Sequence, residues 1–181
     1  MAQDGERKTY LTPEVLALIG HESEVREMWG VVDAEMIRRY VLGIPDQDPR
    51  HWDEELAKPR FGTTTTPSML FSAAFRRRPP WDTTTTEQDR DRDEESDGMR
   101  VTRSSLQALT GLRRHLNGGS EVELYRYPKI GDHLYAQSRN VSIEERVGSN
   151  GQVFLLSTSE TRYWNQDNET IAITRGFSIT R

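Results

Sequence analysis

Asp46 and His51 are the two residues of this sequence whose types and spacing best fit acid–base chemistry. They stand five positions apart in PDQDPRHWDEELA, residues 45–57. An imidazole changes its charge near neutral pH and burial can raise the pKa of a carboxyl group, so the two together can handle the proton transfers of one water molecule. The spacing alone leaves two interpretations open. The segment is an acid–base site, or it is a polar turn in which Asp46 caps the following helix and His51 packs beside Trp52.

Helical signals precede this segment. Thr12, followed by a proline, predicts the start of a short helix within residues 1–20. Asp33 predicts the start of a second helix, DAEMIRRYVLGI, which a glycine and a proline end. Four residues of this second helix recur at helical spacing and define one face: Met36, Ile37, Tyr40 and Val41. Between the two helices, EVREMWGVV at residues 24–32 predicts a strand.

The two segments that follow differ sharply in composition. RFGTTTTPSMLFSAAF, residues 60–75, is apolar in its second half and predicts a buried helix that starts near Ser68. Residues 76–104 are dense in charge and have almost no apolar side chains. Such a composition cannot build a core, so this stretch predicts an exposed, flexible insertion.

The last third of the chain predicts β structure. Four β-rich runs, SEVELYRYP, HLYAQSRNVSIEERV, QVFLLSTSETRYWN and ETIAITRGFSITR, are separated by the turn-forming sequences KIGD, GSNG and QDN. Apolar residues recur at every second position and predict one covered face of an antiparallel meander: Val122, Leu124, Phe154, Leu156, Ile171, Ile173, Phe177 and Ile179. The predicted fold class is α+β, with the sheet wrapped around the helix at 68–75 as a central helix.

Composition argues against several classes of protein. The net charge of −5 provides no overall positive field for a nucleic-acid backbone. The chain has no cysteine, which excludes disulfides, thiol catalysis and cysteine-ligated zinc and fits a reducing cytoplasm. His21, His115 and His133 are not spaced as metal ligands, and no run approaches the ~18 apolar residues of a membrane span. We therefore expect one cytoplasmic domain over residues 1–181 that uses no metal and no cofactor and binds neither nucleic acid nor membrane.

The segment that contains Asp46 and His51 resembles the active-site signature of the MaoC-like dehydratase and (R)-specific enoyl-CoA hydratase family. That signature is an aromatic residue, a short apolar stretch, Gly-Asp-x-Asn-Pro, an aliphatic residue, His, and a small residue six positions later. Tyr40 supplies the aromatic residue here, and Asp46, Pro49, His51 and Ala57 match in register.

Three further motifs extend the resemblance to residues 20–75 and 105–181. TPSML at 66–70 is similar to the step that opens the family's central helix, and YPKIGD at 127–132 to its Arg-Pro-x-x-x-Gly-Asp. YWNQDNETIAITRG resembles the family's hairpin YxNQxGExVAxxxS. Three positions depart from the signature, because Pro45, Asp48 and Arg50 replace a glycine, an asparagine and an aliphatic residue. With WDEELA, these departures are most similar to the N-terminal halves of double-hotdog dehydratases, which frequently lack the catalytic pair.

The resemblance implies a hotdog fold and the reversible addition of water to a trans-2-enoyl thioester of CoA or acyl-carrier protein. Asp46 and His51 would be the acid–base pair, and the backbone N–H groups of Ser68 and Met69 the oxyanion site. Tyr40 and Asp48 would contact the substrate. Arg76 and Arg77 form a local basic cluster that would either contact the phosphates of CoA through charge-assisted hydrogen bonds or only solubilise the end of a helix. Hotdog domains pair edge to edge, so a homodimer or a heteromer with a second hotdog subunit is expected. Two alternatives stay open: a non-catalytic subunit of a heteromeric hydratase, and a hotdog binding domain without hydratase activity.

Overall fold

The structure, a computed structural model, describes residues 9–44, 46–75 and 97–181. The helices are α1 (Pro13–Leu16), α2 (Ala34–Gly43), α3 (Glu54–Phe61), α4 (Leu70–Ala73) and α5 (Asp97–Thr110), and a 3-10 turn spans Pro49–His51. Within these described segments, every helix is too short or too polar to cross a membrane.

The helices before the site begin where their capping residues predict. The side chain of Thr12 accepts a hydrogen bond from the backbone N–H of Val15, and Asp33 Oδ1 accepts one from Met36 at 2.7 Å. Each bond satisfies an amide that the first helical turn leaves without a partner. Both predicted helix starts are therefore confirmed.

The strands are β1 (Arg26–Glu27), β2 (His115–Leu124), β3 (Leu134–Val147), β4 (Val153–Asn165) and β5 (Thr170–Thr180). They form an antiparallel sheet in the order β1-β3-β4-β5-β2. The predicted four-strand meander is correct for β3, β4 and β5 and wrong for β2, which crosses the sheet to pair with β5. The predicted strand at 24–32 is reduced to two residues at the edge beside β3.

Two predictions for this region are corrected: the helix over 68–75, and the exposed insertion that extends to residue 104. The described helix after TTTTP covers only Leu70–Ala73, whereas the longest helix is α5, Asp97–Thr110. Leu106 of α5 is fully buried and packs with Val15, Ile143 and Leu155, which gives α5 a core-forming side that its charged surroundings in the sequence conceal. The remainder of the predicted insertion, residues 76–96, lies outside the described residues.

The face of the sheet that the helices cover, here called the inner face, is also different from the prediction. On β4 the buried positions are Leu155, Ser157, Ser159, Thr161, Tyr163 and Asn165, whereas Phe154 and Leu156 point to the opposite side and are half-buried. Ile173, Phe177 and Ile179 of β5 share that opposite side, because residues directly across from each other in a ladder lie on one face.

Apolar packing at one end of the inner face supports the segment with Asp46 and His51. Phe71 of α4 is fully buried, and its ring meets that of Tyr163 edge-on at 4.7 Å between centroids. Ile37 and Val41 of α2 join the same cluster. These contacts hold the end of α2 and the start of α4 against the sheet. The segment between them, which contains Asp46 and His51, is therefore anchored at both ends.

Candidate active site

Asp46 and His51 are in direct contact. Nε2 of His51 lies 3.0 Å from Oδ2 of Asp46, and Nδ1 of the same ring lies 2.9 Å from the carbonyl oxygen of Thr65. The His51 side chain is 5% exposed, and that of Asp46 is 33% exposed. The histidine is thus shielded and held at both nitrogens, while the carboxylate is the member of the pair that solvent reaches.

The two contacts of the ring determine where its protons lie. A carbonyl oxygen only accepts hydrogen bonds, so Nδ1 of His51 carries a proton and donates it to Thr65. An ionised carboxylate also only accepts, so the contact between Nε2 and Asp46 requires a second proton on the line between them. Asp46 and His51 therefore share one exchangeable proton.

Hydrogen bonds to Asp46 favour its ionised form. The backbone N–H of Asp48 donates to Oδ1 of Asp46 at 3.0 Å. This bond, with a smaller contribution from His51, lowers the pKa of Asp46 below its usual value. Asp46 therefore faces His51 as a carboxylate at neutral pH.

Asp48, only two positions further on, has a different partner. Its carboxylate pairs with the guanidinium of Arg50 and also accepts from the backbone N–H of that residue, which caps the 3-10 turn. The bonds from the Arg50 side chain lower the pKa of Asp48 to about 2. Asp48 was predicted to contact substrate, and the structure gives it this role in the turn.

The alternative in which Asp46 caps the next helix is not what the structure has. Asp53 caps α3, since its Oδ1 accepts from the N–H of Leu56 at 3.1 Å. Ala57 of α3 is fully buried, as expected for the small residue of the signature. The rings of His51 and Trp52 are neighbours, tilted and 6.4 Å apart.

The TTTTP segment fixes the buried side of the pair. The carbonyl oxygen of Thr65 accepts from His51, and the backbone N–H of Thr65 donates to the backbone carbonyl oxygen of Arg50 at 3.0 Å. The next residue, Thr66, is fully buried, and its hydroxyl donates to the carbonyl oxygen of Pro128 at 3.1 Å. Sequence reasoning singled out this segment as a helix start and missed that its backbone holds the histidine.

The remaining two motifs, YPKIGD and the hairpin after β4, lie next to each other, and YPKIGD also contacts the TTTTP segment. Within YPKIGD, Asp132 accepts from the backbone N–H of Lys129 at 2.8 Å, and Gly131 has the positive φ of 92° that favours glycine. Gln166, from the hairpin after β4, approaches Asp132 at 3.5 Å and accepts from the N–H of His133 at 2.8 Å. Contacts between residues 62 and 34 positions apart, Thr66 with Pro128 and Asp132 with Gln166, thus link these motifs.

Ser68 and Met69 precede the helix that they were predicted to open. α4 starts at Leu70, whose N–H donates to Pro67 at 3.0 Å, and both Ser68 and Met69 are exposed. Met69 is the N-cap residue of this single turn, and no side chain bonds the cap. Ser68 and Met69 therefore lie at the exposed start of this turn.

The other predicted substrate-binding residues are less informative. Tyr40 is partly buried and packs against the apolar cluster of α2 and α4. Arg76 and Arg77 lie outside the described residues, as does Pro45 of the signature. Within the described ranges, no three His, Asp or Glu side chains are grouped as metal ligands.

A polar surface beside the site was also missed from the sequence. Six residues in the middle of the inner face are at least nine-tenths buried: Ser138, Asn140, Ser157, Ser159, Thr161 and Ser178. Their signal in β4 is a run in which Ser157, Ser159 and Thr161 alternate with Thr158, Glu160 and Arg162, and the covered face was predicted on the other side, through Phe154 and Leu156.

The sequence of the chain matches a family model described as FAS1-like, dehydratase domain region, over residues 17–174. The chain belongs to this family. The predicted resemblance to the MaoC-like dehydratases and hydratases is thereby confirmed, since the family and its structural neighbours are dehydratases and hydratases of this type. No curated protein sequence matches the chain.

Solved structures show the fold. The ChsH1-ChsH2 complex from Mycobacterium tuberculosis has a TM-score of 0.72 at 13% identity, covering 91% of this chain and 85% of that chain. The (R)-hydratase PhaJ1 from Pseudomonas aeruginosa has a TM-score of 0.52 at 13% identity, over 90% and 81%. The HadBC (3R)-hydroxyacyl-ACP dehydratase complex from Mycobacterium tuberculosis has 0.55 at 12% identity, over 90% and 96%. The predicted α+β hotdog fold is confirmed.

Proposed function

We propose that this chain adds water reversibly across the C2–C3 double bond of a trans-2-enoyl thioester, with Asp46 and His51 as the acid–base pair. The main support for the proposal is the direct contact between a shielded histidine and a partly exposed carboxylate. This contact places one exchangeable proton next to an acceptor that solvent reaches. Membership in a dehydratase family supplies the type of reaction.

In this proposal Asp46 is the member of the pair that meets the water molecule. The water oxygen adds to C3, one water proton passes to the pair, and the pair returns one proton to C2, so that no net proton is gained or lost. His51 exchanges a proton with Oδ2 of Asp46, while Thr65 keeps the ring oriented.

The thioester oxygen becomes negative while C2 awaits its proton. The backbone amides of Ser68 and Met69 are our candidates for stabilising that charge, because they stand at an exposed helix start close in sequence to Thr65. Tyr40 and Asp48, and the Arg76–Arg77 pair as a phosphate contact for CoA, stay predictions. So do the single domain over 1–181 and the cytoplasmic location.

A second candidate function is that of a non-catalytic subunit that pairs with another hotdog chain. Large apolar side chains near the site in the sequence are exposed, among them Leu42 at 68%, Trp52 at 57% and Leu56 at 53%. In the part of the chain that the structure describes, β2 is a sheet edge and pairs with β5 alone. Two of the structures with this fold are complexes of two named chains, ChsH1-ChsH2 and HadBC.

Turnover by the purified chain distinguishes these functions. We expect the chain alone to hydrate crotonyl-CoA and a longer trans-2-enoyl-CoA, measured as loss of the enoyl absorbance. No turnover by the chain alone would contradict the first proposal. Activity that arises only when a second hotdog subunit is added, and that survives removal of the Asp46 carboxylate, would establish the second.

A further inference from the structure

A cleft of about 810 Å³ lies on the inner face of the sheet. Its lining comes from strands β2, β4 and β5, from Met69 and Ser72 at α4, from Gln107 of α5 and from Arg113 in the segment that follows α5. This volume lies in the range of pockets that hold drug-sized ligands, well above the need of a four-carbon acyl group. We call it the inner cleft.

Hydroxyl groups form much of the floor of the inner cleft. Ser159, Thr161 and Ser178 line it and are 6%, 4% and 5% exposed. Thr161 is bonded to Ser138, with 2.8 Å between the two hydroxyl oxygens. Gly176 pairs with Ser159 across the ladder and adds no side chain, so it leaves space above the floor.

The rim of the inner cleft is polar as well. Asn117 and Ser120 on β2 and Gln107 on α5 line it from the two sides, and Val122 is among the few aliphatic side chains present. A plain alkyl chain in this cleft would displace water from hydroxyl and amide groups without replacing the hydrogen bonds. Each buried polar group left in this way costs free energy, whereas a ligand oxygen at the same place restores the bond.

Met69 belongs both to the inner cleft and to the proposed oxyanion site. We infer that the acyl group of the substrate carries hydroxyl or oxo groups beyond C3, which the inner cleft recognises through Ser159 and Ser178. This inference rests on the proposed function, which makes an acyl thioester the ligand.

Matched thioesters test the inference by binding, which does not depend on turnover. Dissociation constants would be measured by calorimetry for octanoyl-CoA and for a hydroxyoctanoyl-CoA with its hydroxyl near the chain end. We expect the hydroxylated ligand to bind at least ~10-fold more tightly, the factor that corresponds to one buried hydroxyl gaining a partner. The double substitution Ser159→Ala and Ser178→Ala should reduce this preference to less than ~3-fold.

A control variant separates the inner cleft from general effects on the sheet. Thr158→Val removes a hydroxyl from the neighbouring position of β4, on the opposite face, and should keep the preference. Equal or weaker binding of the hydroxylated ligand by wild type, or failure of both ligands to bind, would overturn the inference. Hydration of crotonyl-CoA is measured in parallel. If crotonyl-CoA is not hydrated while the binding preference holds, the catalytic proposal fails and the inference stands.

Discussion

Asp46 and Asp48 are two carboxylates two positions apart on one turn, and their surroundings give them different properties. Asp46 contacts a histidine that is 5% exposed and held by a backbone carbonyl, whereas Asp48 pairs with an arginine that is 40% exposed. An arginine keeps its proton at all ordinary pH values, but an imidazole can release one. Proton transfer is therefore possible at the first pair and not at the second, and the difference lies in the partner.

Replacement of the histidine should give the largest effect. In His51→Asn the amide nitrogen can still donate to Thr65, but nothing replaces Nε2 opposite Asp46. We expect kcat for enoyl-CoA hydration to fall by at least ~10²-fold, the scale of a lost general acid–base group. Arg50→Gln at the second pair should change kcat little. Similar losses in both variants would remove the distinction between the two pairs.

Loss of the anchor behind the histidine should have the next largest effect. Thr66→Val keeps the shape of a fully buried side chain and removes its bond to Pro128, which leaves a carbonyl oxygen without its partner. We expect the free energy of unfolding in urea to fall by ~1–3 kcal/mol. Thr63→Val, at a partly exposed position of the same run, is the matched control and should cost much less. Equal costs would mean that the segment is not anchored through Thr66.

Salt should change the contributions of the two pairs to stability by different amounts, and this effect should be smaller than the previous two. The Asp48–Arg50 pair is partly exposed, so ions screen it, whereas the shielded His51 contact is screened much less. We expect the small difference in unfolding free energy between wild type and Arg50→Gln to diminish in 1 M NaCl, about a 3 Å screening length. The corresponding difference for His51→Asn should persist. A loss of both differences would contradict the burial of the first pair.

A fall in pH should give the smallest of these effects on stability. The pKa of Asp48 is lowered to about 2, so its ion pair stabilises the folded state fully above the unfolded value of ~3.9 and loses that contribution as the pH falls toward 2. Asp46 has the same sign, since its pKa is also lowered. The stability difference between wild type and Asp48→Asn, measured by urea unfolding, should shrink between pH 5 and pH 2. A constant difference across that interval would contradict the ion pair.

Local signals in the sequence predicted local structure well. Thr12 and Asp33 cap helices because a cap depends on residues within one turn, and both are found as predicted. The register of Asp46, Pro49 and His51 likewise predicted which residues share the turn, and Ala57 is buried in the helix that follows. The register did not reveal the hydrogen-bond partner of each side chain, because Thr65, which holds His51, is fourteen positions away.

Long-range features were not predictable from the same patterns. β2 pairs with β5 across the sheet, and no turn connects them. The alternation in β4 predicts two faces and not which of them is covered, and the helices cover the side with Ser157, Ser159 and Thr161. α5 was missed because its first residues continue the charged run that precedes them.

The proton-transfer role of Asp46 is tested most directly by a comparison of Asp46→Asn with Asp48→Asn. Both variants remove one charge from the same turn, so their effects on the local field are similar, but only the first removes the oxygen that faces Nε2 of His51. We predict that kcat for crotonyl-CoA falls by at least ~10²-fold in Asp46→Asn and stays within about threefold of wild type in Asp48→Asn, where loss of a substrate contact would raise KM instead. Equal activities of the two variants, or a greater loss in Asp48→Asn, would show that the Asp46–His51 contact is only part of the turn.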